Sequence, residues 1–201
     1  NNVLTDFIAT GIYDRNRPFH TTISPSMDIL ISSNLERLIY DMYDRDDKAV
    51  SALFDQLAKD GRYEVSDAVK AKIQQEFYGG CCDDEQTKQT IQHVFEKYSY
   101  LCDTHTAVAV KVYEDYREKT GDTTKTVIAS TASPYKFTNS VLAAIGGDTT
   151  VDDFTQIEEL SKLSNTEAPI QLASLKEKPV RFTQSIEKQE MEATVLKALG
   201  L

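Results

Sequence analysis

Along most of the chain, apolar residues recur at spacings of three and four, which is the pattern of helices that bury one face. The first such stretch predicts a helix from Val3 to Thr10 that ends at Gly11, since glycine readily adopts the left-handed backbone that follows a helix C-terminus. Glycines and prolines separate further stretches with the same spacing. Helices are predicted there from Ser33 or Asn34, over 47–59, from an N-cap at Asp67 to 77, from Asp84, from Asp103 or Thr104, from Pro134, and over 151–163 and 187–199.

Two other stretches have the composition of β-strands. RYEV at 62–65 is short, whereas KTVIAST at 125–131 is rich in β-branched residues and has no charge after its first lysine. Because such runs are typical of strands covered on both faces, we expect 125–131 to be a buried strand between two helices, as in a βαβ unit. The predicted fold class is α/β, predominantly helical with few strands of the parallel type. Partner strands are expected in sequence outside this chain.

Charge and composition mainly argue against certain classes of protein. The 201 residues have a formal net charge of −10 and a pI near 4.8, which argues against the clustered lysines and arginines of a nucleic-acid-binding protein. No apolar run approaches the ~20 residues of a membrane span, and the first residues lack the features of a signal peptide. Because helical spacing begins at the first residues, we expect a piece of a longer protein.

Cysteine and histidine predict neither a disulfide framework nor a metal site. Cys81 and Cys82 are adjacent and Cys102 stands alone, so we expect reduced thiols, as in a cytosolic protein. No cysteine–histidine cluster has the spacing of zinc ligands. His105 falls in the first turn of a predicted helix, and there we expect a neutral hydrogen-bonding side chain rather than a base.

Three hydroxyl side chains stand at the end of the predicted strand, namely Ser130, Thr131 and Ser133, and Pro134 follows them. In open α/β sheets, ligands bind at the carboxyl ends of strands, so these hydroxyls are candidates for a ligand site. Alternatively, Ser133 caps the next helix and the other two bond local backbone groups. The spacing does not decide between these interpretations. Lys136 is expected to be solvated or to face a phosphate rather than to act as a catalyst.

The segment 20–38, HTTISPSMDILISSNLERL, mixes hydroxyl, carboxylate and amide side chains with apolar ones. One interpretation is a loop in which Ser33 or Asn34 caps the following helix, and the other is the polar wall of a small-molecule pocket. From the segment alone, we prefer the capping interpretation. We expect Asn34 and Arg37 to lie near a domain interface or substrate entrance. No Ser/His/Asp arrangement or glycine-rich phosphate loop is evident, which argues against an independent hydrolase.

Three stretches together resemble the C-terminal part of threonine synthases. Residues 1–43, NNVLTDFIATGIYDRNRPFHTTISPSMDILISSNLERLIYDMY, resemble the central segment of that family. DTHTAVAV at 103–110 resembles its Asp-Pro-His-Thr-Ala motif, with Thr104 in place of the usual Pro. The stretches occur in the family's order, and the resemblance covers most of residues 1–145.

The third stretch contains the hydroxyl cluster. IASTASPYKF at 128–137 resembles the family's Ser-Thr-Ala-His-Pro-Ala-Lys-Phe motif, with Ser133 in place of His and Tyr135 in place of Ala. In fold type II enzymes, a hydroxyl at the end of a late strand contacts the pyridine nitrogen of pyridoxal 5'-phosphate. By motif position, the resemblance gives this cofactor-binding role to Thr131, with Ser130 as the second candidate. An alcohol can bond that nitrogen but cannot hold it as pyridinium, as a carboxylate would.

The resemblance also implies a fold and a reaction. The fold is a partial tryptophan-synthase-β-like domain, which is fold type II of the pyridoxal-phosphate enzymes. The enzyme is a carbon–oxygen lyase acting on phosphates, which converts O-phospho-L-homoserine and water to L-threonine and phosphate in threonine biosynthesis. In that family, the Schiff-base lysine and the cofactor's phosphate loop lie upstream of this segment. We therefore expect the chain alone to be inactive, to contain no catalytic residue, and to need the missing N-terminal part of the same protein as its partner.

For domain organisation, we expect residues 1–201 to be the C-terminal portion of the enzyme's large domain, with 146–201 as a variable extension within it. Substrate-binding residues stay unassigned. A different function class is a free-standing helical interaction module whose hydroxyls only cap helices. A divided sheet further predicts exposed apolar surface or an unpaired strand edge.

Overall fold

The computed structural model describes residues 1–201, which form two compact units, Asn1–Ala168 and Pro169–Leu201. The helices of the larger unit are α1 (Val3–Thr10), α2 (Leu35–Met42), α3 (Asp47–Asp60), α4 (Asp67–Glu76), α5 (Asp84–Tyr98), α6 (Thr104–Thr120), α7 (Thr138–Ala144) and α8 (Asp153–Ser164). The smaller unit contains α9 (Ile170–Ala173) and α10 (Met191–Ala198). Single 3₁₀ turns cover Pro25–Met27, Pro134–Phe137, Ser174–Glu177 and Lys188–Glu190, and the strands are β1 (Ile12–Asp14) and β2 (Arg62–Glu64). The predominantly helical architecture with few strands is thus confirmed.

The two strands and helices α1 to α4 share one hydrophobic core. Tyr13 of β1 lies opposite Tyr63 of β2, and their rings stack with centroids 5.2 Å apart. Arg62 and Glu64 flank Tyr63 and are exposed, which is the alternation of a strand with one covered face. The Phe7 ring of α1 meets both tyrosine rings edge-on at 5.9 Å. This aromatic cluster therefore joins the first helix to the two-stranded sheet.

Helices α5 to α8 form a second packed group. Helix α5 contacts both α6 and α7, and α7 contacts α8. The buried apolar side chains of this group are Ile91, Val94, Ala107, Val141, Leu142, Ala144 and Leu160. Ala107 has no exposed surface and lies in the first turn of α6, so the beginning of that helix is fixed inside the packed group. This placement matters because the motif at 103–110 contains that helix end and the hydroxyls at 130–133 lie beside it.

Glycine ends α1 and α3 as the sequence predicts. Gly11 and Gly61 have φ values of 78° and 71°, in the left-handed region that side chains disfavour, and each amide bonds a carbonyl of the last helical turn. Gly61 is also crowded, because a Cβ there would come within 2.2 Å of the Asn16 amide oxygen. Both turns deliver the chain directly into a strand, β1 after Gly11 and β2 after Gly61.

The strand predicted at 125–131 is absent, and the strands that do form are antiparallel rather than of the parallel type. Residues 125–131 adopt neither helix nor strand, and Val127 is 91% exposed. A strand needs a neighbouring strand to satisfy its backbone N–H and C=O groups, and no segment of this chain lies beside 125–131 in that way. Residues 125–131 therefore have the composition of a strand but no partner strand within this chain.

Two predicted helix caps are also wrong. Ser66, rather than Asp67, caps α4, because its hydroxyl accepts the Val69 N–H at 3.3 Å. Asn34 precedes α2 but makes no capping bond, and its amide oxygen instead accepts the Arg37 guanidinium at 2.9 Å. In both cases, the sequence located the helix start to within a residue. Ser66 has the extended backbone that lets an N-cap side chain reach the first turn, whereas Asn34 holds the N-cap position with helical backbone angles and makes no such bond.

Two tyrosines of the core make a matched stability test. The buried Tyr63 hydroxyl has no hydrogen-bond partner, whereas Tyr13 donates to the Leu30 carbonyl at 2.9 Å and accepts the Ser32 N–H at 2.8 Å. Tyr63→Phe should stabilise the protein by about 1 kcal/mol, because it removes an unsatisfied polar group. Tyr13→Phe should destabilise it by about 1 to 3 kcal/mol, because it leaves a donor and an acceptor without partners. Urea denaturation measures both, and equal effects of the two substitutions would contradict this assignment.

Candidate functional site

The carboxylate of Asp103 organises the beginning of α6. Asp103 is fully buried, and its Oδ1 accepts the N–H groups of His105 at 2.9 Å and Thr106 at 3.3 Å. Such an N-cap satisfies donors that the helix cannot pair internally, and the positive end of the helix favours the negative charge. The cap is thus both a folding element and a buried anion at the centre of the motif DTHTAVAV.

His105 connects this helix start to the segment 20–38. Its side chain is buried, its Nδ1 lies 3.1 Å from Asp103 Oδ1, and its Nε2 accepts the Ser26 N–H at 3.0 Å. Because a backbone N–H can only donate, Nε2 is unprotonated, and Nδ1 bears the proton that Asp103 accepts. His105 is therefore a neutral hydrogen-bonding residue, as the sequence predicted. Its ring also meets that of Phe137 edge-on at 4.7 Å.

Thr106 connects the helix start to the hydroxyl cluster. Its hydroxyl donates to Asp103 Oδ2 in a short bond, and its Oγ1 lies 3.2 Å from Ser130 Oγ. Since Thr106 has one hydroxyl proton and the carboxylate takes it, Ser130 supplies the proton of the second bond. Tyr100 in turn donates its phenol proton to Ser130 at 3.3 Å. A continuous series of donors therefore runs from Tyr100 through Ser130 and Thr106 to Asp103.

The three hydroxyls at 130–133 have three different environments. Ser130 is held in the series just described, whereas Thr131 is exposed and its side chain makes no hydrogen bond. Ser133 accepts the Tyr135 N–H at 3.3 Å and caps the 3₁₀ turn that begins at Pro134. The capping interpretation is confirmed for Ser133, whereas a ligand role for the exposed, unbonded Thr131 hydroxyl stays a prediction.

The residues after the cluster are anchored to Thr166, just beyond the end of α8. Tyr135 is buried, and its phenol bonds the Thr166 carbonyl at 3.0 Å and the Thr166 hydroxyl at 2.8 Å. Lys136 is exposed, with its ammonium 5.6 Å from the centre of the Phe137 ring, in agreement with the predicted solvated side chain. Lys136 also lines an open cavity of about 510 Å³ together with Thr22 and Asn139.

The segment 20–38 does form the wall of a cavity, an interpretation that the sequence alone did not favour. The cavity measures about 290 Å³ and lies between this segment, α1 and the turn at residues 80–82. Ser24 lines it with a buried hydroxyl that has no partner. Burial acts to raise the pKa of Asp28 on the same wall, but hydrogen bonds from Thr22 and Asn1 outweigh it and hold that pKa below its usual value.

Other kinds of site find little support. No group of three or more histidine, cysteine or acidic side chains is arranged to hold a metal ion. None of the helices combines the length and the apolar character that crossing a bilayer demands. Cys81, Cys82 and Cys102 are all free thiols, the first exposed and the last buried.

Tyr100 and the role of Thr106 were not predicted from the sequence. For Thr106, a signal was available, because it lies three residues after a capping aspartate, where a hydroxyl can reach the cap's second oxygen. For Tyr100, no local signal exists, since its contact with Ser130 joins residues 30 positions apart.

Comparison with known proteins shows which family the chain resembles in sequence and fold. Residues 106–195 match the family described as "Threonine synthase, C-terminal". Threonine synthase-like 1 of Homo sapiens is 38% identical over 146 residues, which cover 72% of this chain and 19% of that protein. Threonine synthase of Pseudomonas aeruginosa is 36% identical over 141 residues, covering 70% and 29% respectively. The crystal structure of threonine synthase from Brucella melitensis with bound pyridoxal phosphate superposes with a TM-score of 0.67 at 36% identity, over 83% of this chain and 34% of that one.

The family match includes the motif at 128–137, most of α6, and all of α7 and α8. The chain belongs to the threonine synthase family and corresponds to the C-terminal portion of its members. It spans about a fifth to a third of the length of the curated relatives cited above.

Cysteine reactivity tests the packing around the site. Burial, reinforced by the neighbouring Asp103 charge, raises the pKa of the Cys102 thiol to about 12. Because the thiolate is the reactive form, iodoacetamide at about pH 8 should alkylate the exposed Cys81 first and leave Cys102 unmodified until urea unfolds the protein. Peptide mass mapping of timed samples checks this order. Alkylation of Cys102 in the folded protein at a rate similar to Cys81 would show that the beginning of α6 is open to solvent.

Proposed function

We propose that this chain is the C-terminal part of a pyridoxal-phosphate-dependent threonine synthase of fold type II. The whole enzyme converts O-phospho-L-homoserine and water to L-threonine and phosphate in the cytoplasm. The observation that supports the proposal best is the bond between Thr106 and Ser130, because it joins two motifs that resemble the family and are separated by 24 positions. A chain with only a chance likeness in each motif would have no reason to bring them together.

The residues present fit the cofactor that the family uses. A pyridine nitrogen needs a hydrogen-bonding group that is accessible, and the Thr131 hydroxyl is exposed and unbonded. The nearby carboxylate, Asp103, is fully buried, and both of its oxygens already accept hydrogen bonds. An alcohol is thus the group that this cluster offers to the ring nitrogen. When bound, the cofactor supplies an electron sink for the substrate carbon while phosphate leaves and water adds.

Between the two candidates, Thr131 remains the first and Ser130 the second. The Ser130 oxygen accepts from Tyr100, and its proton goes to Thr106, so a bond to the cofactor would require breaking an existing one. Thr131 has no such competing bond. This chain therefore binds and orients the cofactor ring through Thr131, while the lysine that joins the cofactor covalently comes from the upstream part of the enzyme.

Residues 1–201 then belong to the large domain, with 146–201 as its variable extension. The chain alone has no turnover, because the covalent lysine and the cofactor's phosphate loop are contributed by the upstream part. The upstream part also supplies the strands that would pair with residues 125–131.

Substitution of Thr131 tests the cofactor contact in the full-length enzyme that contains this chain. Thr131→Val keeps the side-chain shape but removes the hydroxyl, so it should lower kcat/KM by about 3- to 10-fold, the equivalent of one hydrogen bond, and shift the cofactor's absorption band. Thr131→Ser retains a hydroxyl and serves as the matched control, with a spectrum close to that of the unsubstituted enzyme. An unaltered spectrum and rate for Thr131→Val would remove the assignment.

Complementation distinguishes the enzyme part from an interaction module. Mixing this chain with the upstream part, pyridoxal phosphate and O-phospho-L-homoserine should restore phosphate and threonine formation, whereas neither part alone should form them. A chain that stays monomeric and does not associate with the upstream part would favour the module.

A further inference from the structure

A single side chain, Ser130, makes all the hydrogen bonds that join the segment 125–132 to distant parts of the larger unit. This segment contains neither helix nor strand, and its backbone groups form no hydrogen bonds with other backbone groups. Thr126 bonds only its near neighbour Thr124. The Ser130 hydroxyl, by contrast, bonds Tyr100 and Thr106, which lie 30 and 24 positions away. Without Ser130, no hydrogen bond would fix this segment against α6.

Thr106 is the fixed end of that attachment. Its backbone N–H and its hydroxyl both bond the buried Asp103, so the side chain has one defined orientation. Because the carboxylate takes the Thr106 proton, Thr106 Oγ1 can only accept from Ser130, and the direction of the Ser130 proton is fixed as well. Each hydrogen bond in such a series polarises the next, so the bond to the carboxylate strengthens the bond between the two hydroxyls. The buried charge of Asp103 thus acts on Ser130 through Thr106.

We infer that Thr106 is a positioning residue that, through Ser130, holds the 125–132 segment so that the Thr131 hydroxyl faces the cofactor ring nitrogen. This inference rests on the proposed function. It gives Thr106 and Ser130 a shared role distinct from that of Thr131: they touch each other, and Thr131 touches the cofactor. It also explains why the hydroxyl adjacent to the cofactor-binding one is itself bonded on two sides.

The experiment uses the full-length enzyme that contains this chain, loaded with pyridoxal phosphate labelled with ¹⁵N in the ring. The ¹⁵N chemical shift reports the bond to the ring nitrogen, and the cofactor dissociation constant reports its strength. Thr106→Val should move the shift in the same direction as Thr131→Val and raise the dissociation constant by about 3- to 10-fold, the equivalent of one hydrogen bond. Thr106→Ser keeps the hydroxyl and should leave both values close to those of the unsubstituted enzyme.

A double-variant cycle separates positioning from general stability. If Thr106 acts through Ser130, then Ser130→Ala should reproduce the effect of Thr106→Val, and the double variant should be no worse than either single one. Additive effects would overturn the inference. Ser130 lies on an exposed segment, so Ser130→Ala keeps the test available if Thr106→Val fails to fold. An unchanged shift and dissociation constant in Ser130→Ala would also overturn it.

The Thr131→Val variant distinguishes failure of the positioning role from failure of the cofactor contact. If Thr131→Val moves the shift but Ser130→Ala and Thr106→Val do not, the positioning role is wrong and the cofactor contact stands. If Thr131→Val leaves the shift unchanged, the cofactor contact itself is wrong, and the positioning inference falls with it.

Discussion

The buried carboxylate of Asp103 is the interaction on which the arrangement of this chain depends. Burying a charge is unfavourable unless hydrogen bonds compensate for it, and here backbone N–H groups, a threonine hydroxyl and a histidine ring all converge on it. All of these groups belong to His105 and Thr106, and the side chain of each residue also contacts a different polar segment. His105 extends the network to the segment 20–38 through Ser26, and Thr106 extends it to the segment 125–132 through Ser130. One capping residue therefore brings together the three stretches that resemble the family.

How much of this was accessible from the sequence depends on the range of the interaction concerned. Helices such as α1 and α3 follow from local information, because their apolar spacing and terminal glycines lie within a few residues of each other. Cap identity was less certain: Ser66 and Asp67 are both good caps by type, and only the extended backbone of Ser66 decided between them. The two-stranded sheet was half predicted, since β2 was recognised and β1 was not.

In the candidate site, too, local features were predictable from the sequence and long-range contacts were not. The sequence identified Ser130, Thr131, Ser133 and His105 as residues of interest, because each lies in a short polar motif. It could not show that Thr106 meets Ser130, since that contact depends on how α6 lies against the later segment. The failed strand prediction at 125–131 has a related cause. Residue composition describes the environment for which a segment is suited, while strand formation requires a neighbour that this chain does not supply.

The contact between Tyr135 and Thr166 joins the motif at 128–137 to a residue outside it. The family motif has alanine where this chain has Tyr135, and an alanine side chain ends far too early to reach the threonine beyond α8. The Tyr135 phenol thus fixes the loop that contains the hydroxyls to Thr166, which follows the last helix of the larger unit. The position of the loop in this chain therefore depends in part on Thr166, a residue outside the motif at 128–137.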